Sequence, residues 1–250
     1  MNRFKTKEDF FDKIDSEIKA YLLGFFVADG CICMNSGCKN SYCLSVNLTL
    51  DDKYIVDLYH YYICPHNTIR FSNHQTLGMH RRPTARIKWT SNKMKETLYE
   101  YNIHMRKTHD FNFEFPFNKI PDEYLFDFIR GFFDGDGHVS FNDKTNAMTF
   151  AFYGTSKPFF EQLGDIFEKE FNVNKRIEST TKKNIELYCL RFSANYNKKE
   201  FIEKLYHKFY DNKEFFLERK KKKLLGYLMF KYRANQLDIE RPIDSVERSE

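Results

Sequence analysis

The chain has 250 residues, with 40 Lys/Arg against 35 Asp/Glu and a net charge of +5. That length holds one large domain or two small ones with ample core, and no apolar run approaches the roughly 20 residues a membrane span needs. Six cysteines without a secretory leader argue against a disulfide framework and for a soluble, intracellular protein of unspecified compartment.

The distribution of charge says more than its total. Residues 1–59 sum to −2, 60–109 to +7, 110–171 to −7, 172–233 to +10 and 234–250 to −3. An acidic stretch followed by a basic one occurs twice, a pattern that fits two lobes gripping one polyanion.

In chain order, residues 20–30 (AYLLGFFVADG) predict an apolar helix ending in Asp29-Gly30. Next, Leu44, Val46, Leu48 and Leu50 alternate with Ser45, Asn47 and Thr49, a half-buried strand with a polar face. A helix over 52–63, strands over 66–73 and 84–90, and a helix over 92–102 follow. Residues 103–121 connect to what comes next; bracketed by Pro116 and Pro121 and not Gly/Ser-rich, they are expected to pack rather than swing. Residues 127–137 (DFIRGFFDGDG) then repeat the first helix 107 residues later. Met148, Phe150 and Phe152 alternate with Thr149, Ala151 and Tyr153 as the matching strand. A helix over 156–171 with Ser156 as its N-cap, strands over 174–181 and 185–193, and a helix over 196–210 complete the second copy. The fold class is α+β, a duplicated αββαββα unit with pseudo-twofold symmetry. The expected divisions are 1–102 and 122–211 for the repeats, 103–121 for the connection, 212–233 for a basic C-terminal helix and 234–250 for a loose acidic tail.

Each repeated helix carries small residues four apart, Gly24 and Ala28 in one, Gly131 and Gly135 in the other. Residues at i and i+4 share a helix face, so the stripes predict two helices packed through Gly24, Ala28, Gly131 and Gly135. Asp29 and Asp136 then lie at C-terminal helix ends, where the dipole is already negative. Two such ends brought together need a cation.

Leu22–Gly30 (LLGFFVADG) and Ile129–Gly137 (IRGFFDGDG) resemble the LAGLIDADG motif of homing endonucleases, strongly at the glycines and the final Asp-Gly. Val27 stands where the pattern often has an acid, but the family's catalytic carboxylate is the Asp before the last Gly. The resemblance covers most of residues 15–210. It implies a single-chain, two-motif enzyme whose two antiparallel sheets form a DNA-binding saddle around the packed motif helices. The implied activity is a staggered double-strand break in a long asymmetric site, in the homing of an intron, intein or free-standing element. Phosphodiester hydrolysis needs an activated water and stabilised charge, which hard divalent cations on carboxylates supply. Asp29 and Asp136 are the implied catalytic acids and metal ligands, with the carbonyls of Ala28 and Gly135 beside them. Mg²⁺ is the expected cofactor, Mn²⁺ a substitute, and Ca²⁺ an ion that supports binding without cleavage. Aligning Ile87–Asn92 (IKWTSN) with Leu190–Asn195 (LRFSAN) pairs Lys88 with Arg191. Similar endonucleases carry a basic residue on this late strand, which points to Lys88 and Arg191 as catalytic cations.

On residues 84–90, Thr84, Arg86, Lys88 and Thr90 share one face. A polar, basic sheet face can follow the DNA major groove, where base edges are distinguishable. Arg70, Arg86 and Asn47 are candidates for base contacts, and Ser45 and Thr49 are further candidates for binding DNA. Arg82, Arg176, Lys182 and Lys220, Lys221, Lys222 and Lys223 are candidates for phosphate contacts. The halves differ on the polar face, Asn47 pairing with Ala151 and Lys88 with Arg191, so a monomer on an asymmetric duplex site is expected. Double-stranded DNA is the expected partner, with no obligate protein partner; host intron RNA is a second candidate. Cys31, Cys33, Cys38 and Cys43 cluster without a CxxC pair, which disfavours a zinc site. His138 has no counterpart in the first motif, where Cys31 stands, and is read as local. The alternatives on the same scaffold are an RNA maturase and a non-cleaving DNA-binding protein. Acids at both motif ends favour cutting.

Overall fold

The two repeated segments are helices in the computed structural model, which describes residues 6–239 apart from 39, 74, 77–78, 81, 143–146, 183–184 and 195–198. Helix α1 spans Glu17–Asp29, and its partner, introduced below as α4, spans Asp122–Asp136. Acids open both, Glu17 in one and Asp122 and Glu123 in the other, which suits the positive end of the helix dipole. Both stop where the following glycine turns extended, at φ −72° for Gly30 and −82° for Gly137. From Ala20 to Ala28 every residue of α1 is buried, as expected of a helix lodged between other layers.

Each helix leads straight into a sheet. The first half continues with β1 (Gly30–Met34), β2 (Tyr42–Thr49), α2 (Lys53–Tyr62) and β3 (Arg70–Ser72). A small hairpin of β4 (Gln75–Thr76) and β5 (Met79–His80), then β6 (Thr84–Thr90) and α3 (Asn92–Glu100), complete it. After α4, the second half repeats the plan with β7 (Gly137–Asn142), β8 (Ala147–Gly154), α5 (Lys157–Phe171), β9 (Arg176–Lys182), β10 (Ile185–Ala194) and α6 (Lys199–Tyr210). The antiparallel sheets run β1-β2-β6-β3 and β7-β8-β10-β9, the same order twice. In β6, Ala85, Ile87 and Trp89 point inward while Arg86, Lys88 and Thr90 are exposed, so one face of the sheet makes core and the other meets solvent.

Aromatic rings fill much of the core. In the first half Trp89 stacks on Tyr59 at 5.8 Å, and the Tyr59 hydroxyl donates to the Leu22 carbonyl of α1. In the second, Phe133 of α4 stacks on Phe150 at 4.4 Å and Phe167 on Phe192 at 4.7 Å. Stacked and edge-on rings contribute about 0.5–1.5 kcal/mol per pair beyond their buried area.

The connection packs. Ile103, Phe113, Phe115 and Ile120 are buried, Phe115 stacks on Phe128 of α4, and the Ser156 hydroxyl donates to the Phe113 carbonyl. The last helix, α7, spans Glu218–Ile239, starting later than residue 212 and continuing past 233. The residues before it are held out of helical conformation: the Glu17 carboxylate accepts from the Glu214 and Phe215 amides, and Asn212 has φ +55°. Residues 234–239, read as the start of an acidic tail, are helical, while 240–250 lie outside the described residues. At its start α7 ties the halves together, because Arg219 forms a bidentate pair with Asp52 while the Leu217 amide donates to Asp134. No helix among the described residues is long and apolar enough to cross a membrane.

Candidate functional site

The two motif helices meet backbone to backbone. A Cβ on Gly24 would be driven into the Phe128 carbonyl of α4, and one on Gly131 into the Tyr21 carbonyl of α1. Each glycine therefore receives a carbonyl of the partner helix, rather than simply facing the other glycine. One turn further on, the Ala28 methyl fills the space where Gly135 lacks a side chain, so this level of the interface admits a single methyl.

That packing delivers Asp29 and Asp136 to the same place. Both line one cavity of about 410 Å³, together with Lys107, Thr108 and Tyr153. Asp29 is open to solvent and Asp136 is half-buried. Burial, then the charge of Asp29, pushes the Asp136 carboxyl up to about 6. Although Asp29 is exposed as a residue, its carboxylate lines the cavity, and desolvation there raises it too, against the pull of nearby Lys107 and Lys220.

Those two lysines are the cations of the site, and the sequence reading did not assign them there. Lys107, from the connection, donates to the Ala28 carbonyl at 2.5 Å, at the end of α1. Lys220, from α7, donates to the Phe133 and Gly137 carbonyls at the end of α4. Each repeat is thus followed by a segment that returns to the C-terminal end of its own motif helix and places an ammonium on it, where the dipole favours one. Burial lowers both amines, Lys220 to about 8, and the facing carboxylates oppose the shift. After burial, the charges that shift Asp136 most are Asp29, then Lys107 and Lys220. A signal was present in the chain. Arg106-Lys107 and Arg219-Lys220 form the same dipeptide after the last helix of each repeat.

This corrects the reading of Lys220 to Lys223 as one run of phosphate contacts. Lys220 is only 4% exposed and turned into the site. Lys221 lies over the Phe216 ring at 4.3 Å. Lys222 and Lys223 face solvent, Lys222 loosely paired with Glu218 at 3.9 Å. A helix of this pitch cannot present four successive side chains to one surface.

The outer faces of the two sheets compare row by row. Cys31, Ser45 and Lys88 are register partners across β1, β2 and β6. His138, Ala151, Arg191 and Arg176 are partners across β7, β8, β10 and β9. Lys88 and Arg191 hold matching positions, as aligned. Asn47, however, matches Tyr153, and Ala151 matches Ser45. The sequence pairing of Asn47 with Ala151 was displaced by two residues, a slip that keeps every side chain on its face and so leaves the alternation unchanged. Arg70, Arg86, Lys88 and Asn67 line a second cavity of about 380 Å³. Ser45 is buried and accepts from Arg86 at 3.3 Å, so it orients the arginine rather than reaching outward. Asn47 is exposed and Thr49 half-buried; Arg82 sits 3.5 Å from Asp51, Arg176 pairs with Glu178, and Lys182 is exposed. Cys33 and Cys43 touch across β1 and β2, and Cys31 and Cys38 are exposed. Among the described residues no three His, Cys, Asp or Glu side chains gather as a metal site.

Residues 123–206 match the family model described as a LAGLIDADG-like domain. The chain is similar over its length to the homing endonuclease I-WcaI bound to its DNA recognition sequence, with a TM-score of 0.56 and 17% identity over 86% of this chain and 90% of that one. This is the duplicated LAGLIDADG fold. The homing endonuclease I-GzeII, in complex with its DNA target, is similar at TM-score 0.54 and 13% identity, covering 89% of this chain and 92% of its own. I-LtrWI, bound to target DNA, gives 0.52 and 12% over the same shares. No curated protein matches the sequence. Helix α4 and its terminal Asp136 lie inside the matched segment, and α1 with its terminal Asp29 is the corresponding helix of the first half.

Proposed function

We propose that this protein is a sequence-specific DNA endonuclease that hydrolyses one phosphodiester in each strand of a long asymmetric duplex site, leaving a staggered break. One observation carries the reading: two carboxylates from packed LAGLIDADG helices share a cavity, each with a lysine on the helix end beside it. Structural adhesion between helices needs neither the acids nor the lysines. The similar endonucleases that were solved on target DNA support duplex DNA as the partner.

The donor set fits a hard divalent cation, for which Mg²⁺ is the expected choice. Asp29 and Asp136 would hold it, with the Gly135 carbonyl nearby; the Ala28 carbonyl already serves Lys107. Such an ion, when bound, activates water and stabilises charge on phosphorus. The rest falls to the chain. Lys107 and Lys220 hold positive charge at the helix ends, where the leaving oxygen of each strand would develop negative charge. Lys88 and Arg191 share cross-strand rows with Cys31 and His138 respectively, two residues past each aspartate and with one strand between, and grip the flanking phosphates. Arg86 and Arg70 reach base edges from the first sheet. One chain carries both halves, so one monomer covers the site.

The test is incubation with a randomised duplex library and Mg²⁺, followed by sequencing of the cut ends. A single asymmetric consensus cut in both strands is expected. Tight binding with no cut ends would replace this reading with a non-cleaving binder.

A further inference from the structure

The internal pseudo-twofold lets the two reading faces be compared position by position, and one row is reversed in charge. In the first half, the second row out from the motif carries Asn47, Arg86 and Arg70 on β2, β6 and β3. The same row in the second half carries Tyr153, Cys189 and Glu178 on β8, β10 and β9. Two arginines are replaced by a thiol and a carboxylate.

Glu178 is 34% exposed and sits between the arginines of the neighbouring row. Its Oε1 lies 2.8 Å from Arg176 Nε, and its Oε2 lies 3.4 Å from Arg191 Nη2. On a face turned to a polyanion a carboxylate weakens attraction, and here it also draws two arginines away from phosphates. A pair of arginines uses one lone pair on each oxygen, so the carboxylate keeps capacity to accept further hydrogen bonds. In the major groove, cytosine N4 and adenine N6 are the donors, whereas guanine and thymine present acceptors on their keto edges. A carboxylate held by arginines therefore accepts from an amino edge and repels a keto edge.

We propose that Glu178 is a specificity-determining residue of the second half-site, accepting a hydrogen bond from the amino group of cytosine or adenine at one base pair and rejecting guanine and thymine there. The assignment rests on the endonuclease reading. It makes the half-sites opposite in character, because Arg86 and Arg70, with no carboxylate in their row, favour guanine at the matching position.

A randomised duplex library, bound in Ca²⁺ and sequenced, tests this against the full chain. Wild type is expected to favour cytosine or adenine at one second-half position by roughly 5- to 150-fold, the range for about 1–3 kcal/mol of discrimination. Glu178→Gln, whose amide both donates and accepts, should bring that position within about threefold of indifference and leave first-half preferences intact. Glu178→Lys should invert it toward guanine or thymine, and serves if the first variant folds poorly. Profiles unchanged by both variants would overturn the assignment. So would changes confined to guanines read by Arg176 and Arg191, since Glu178 would then act only by holding those side chains. A wild type that enriches no sequence would overturn the endonuclease reading itself and this assignment with it.

Discussion

The ammonium of Lys107 donates to the carbonyl of Ala28, 79 residues earlier in the chain, and so covers the end of the helix that carries Asp29. Lys220 does the same for the helix that carries Asp136. The repulsion expected between two carboxylates on two negative helix ends is thereby met from within the protein.

Lys107→Met and Lys220→Met should each lower cleavage by 10²- to 10³-fold, the usual loss when one preorganised donor to developing charge is removed. Duplex binding in Ca²⁺ should stay within a few-fold of wild type. Single-turnover cleavage and a binding titration check both. Wild-type cleavage by these variants, with loss in Lys88→Met and Arg191→Met, would restore the strand residues as the catalytic cations.

Asp29→Asn and Asp136→Asn are expected to abolish double-strand cleavage and to spare binding. The folded state holds the Asp136 carboxyl above its ordinary range, at about 6, so it favours the protonated acid. Stability from this group is full below about pH 4 and is lost as pH rises through about 6. The loss is on the order of 1–3 kcal/mol, allowing for screening of a half-buried group. Urea unfolding without metal should show Asp136→Asn more stable than wild type at pH 7.5 and equal to it at pH 4. A constant difference across that range would mean the carboxyl is not perturbed.

The shared methyl between the helices makes a swap experiment possible. Gly135→Ala alone collides with Ala28 and should cost about 1–3 kcal/mol or more, as overpacking does. Ala28→Gly with Gly135→Ala should recover most of it, a coupling measurable by a double-mutant cycle. Gly24→Leu or Gly131→Leu meets partner backbone and should not be recoverable. Additive effects of Gly135→Ala and Ala28→Gly would place the two positions apart.

Salt dependence separates the C-terminal lysines. Log affinity falls by roughly 0.9 per phosphate for each decade of salt, so Lys222→Gln with Lys223→Gln should flatten the slope by up to about two. Lys220→Gln, buried at the site, should leave the slope as it is. Equal flattening by all three would mean that Lys220 faces the duplex.

One chain per duplex is the expected stoichiometry, because both halves and both aspartates belong to one polypeptide. Sedimentation of the complex as two chains would contradict it.

What the sequence determined by itself was periodic and local. Alternation marked Leu44 to Thr49 and Thr84 to Thr90 as two-faced strands, and the spacing of Gly24, Ala28, Gly131 and Gly135 predicted the helix contact, because side-chain direction follows from two or three successive residues. The copied motif located Asp29 and Asp136. Tertiary structure decided which cations join them. Lys107 and Lys220 are brought back by a packed connection and a final helix across 79 and 87 residues, and no local pattern records where such a segment returns. The match of Asn47 with Tyr153 was likewise settled by strand register, since a shift of two residues preserves every inward and outward choice the sequence makes.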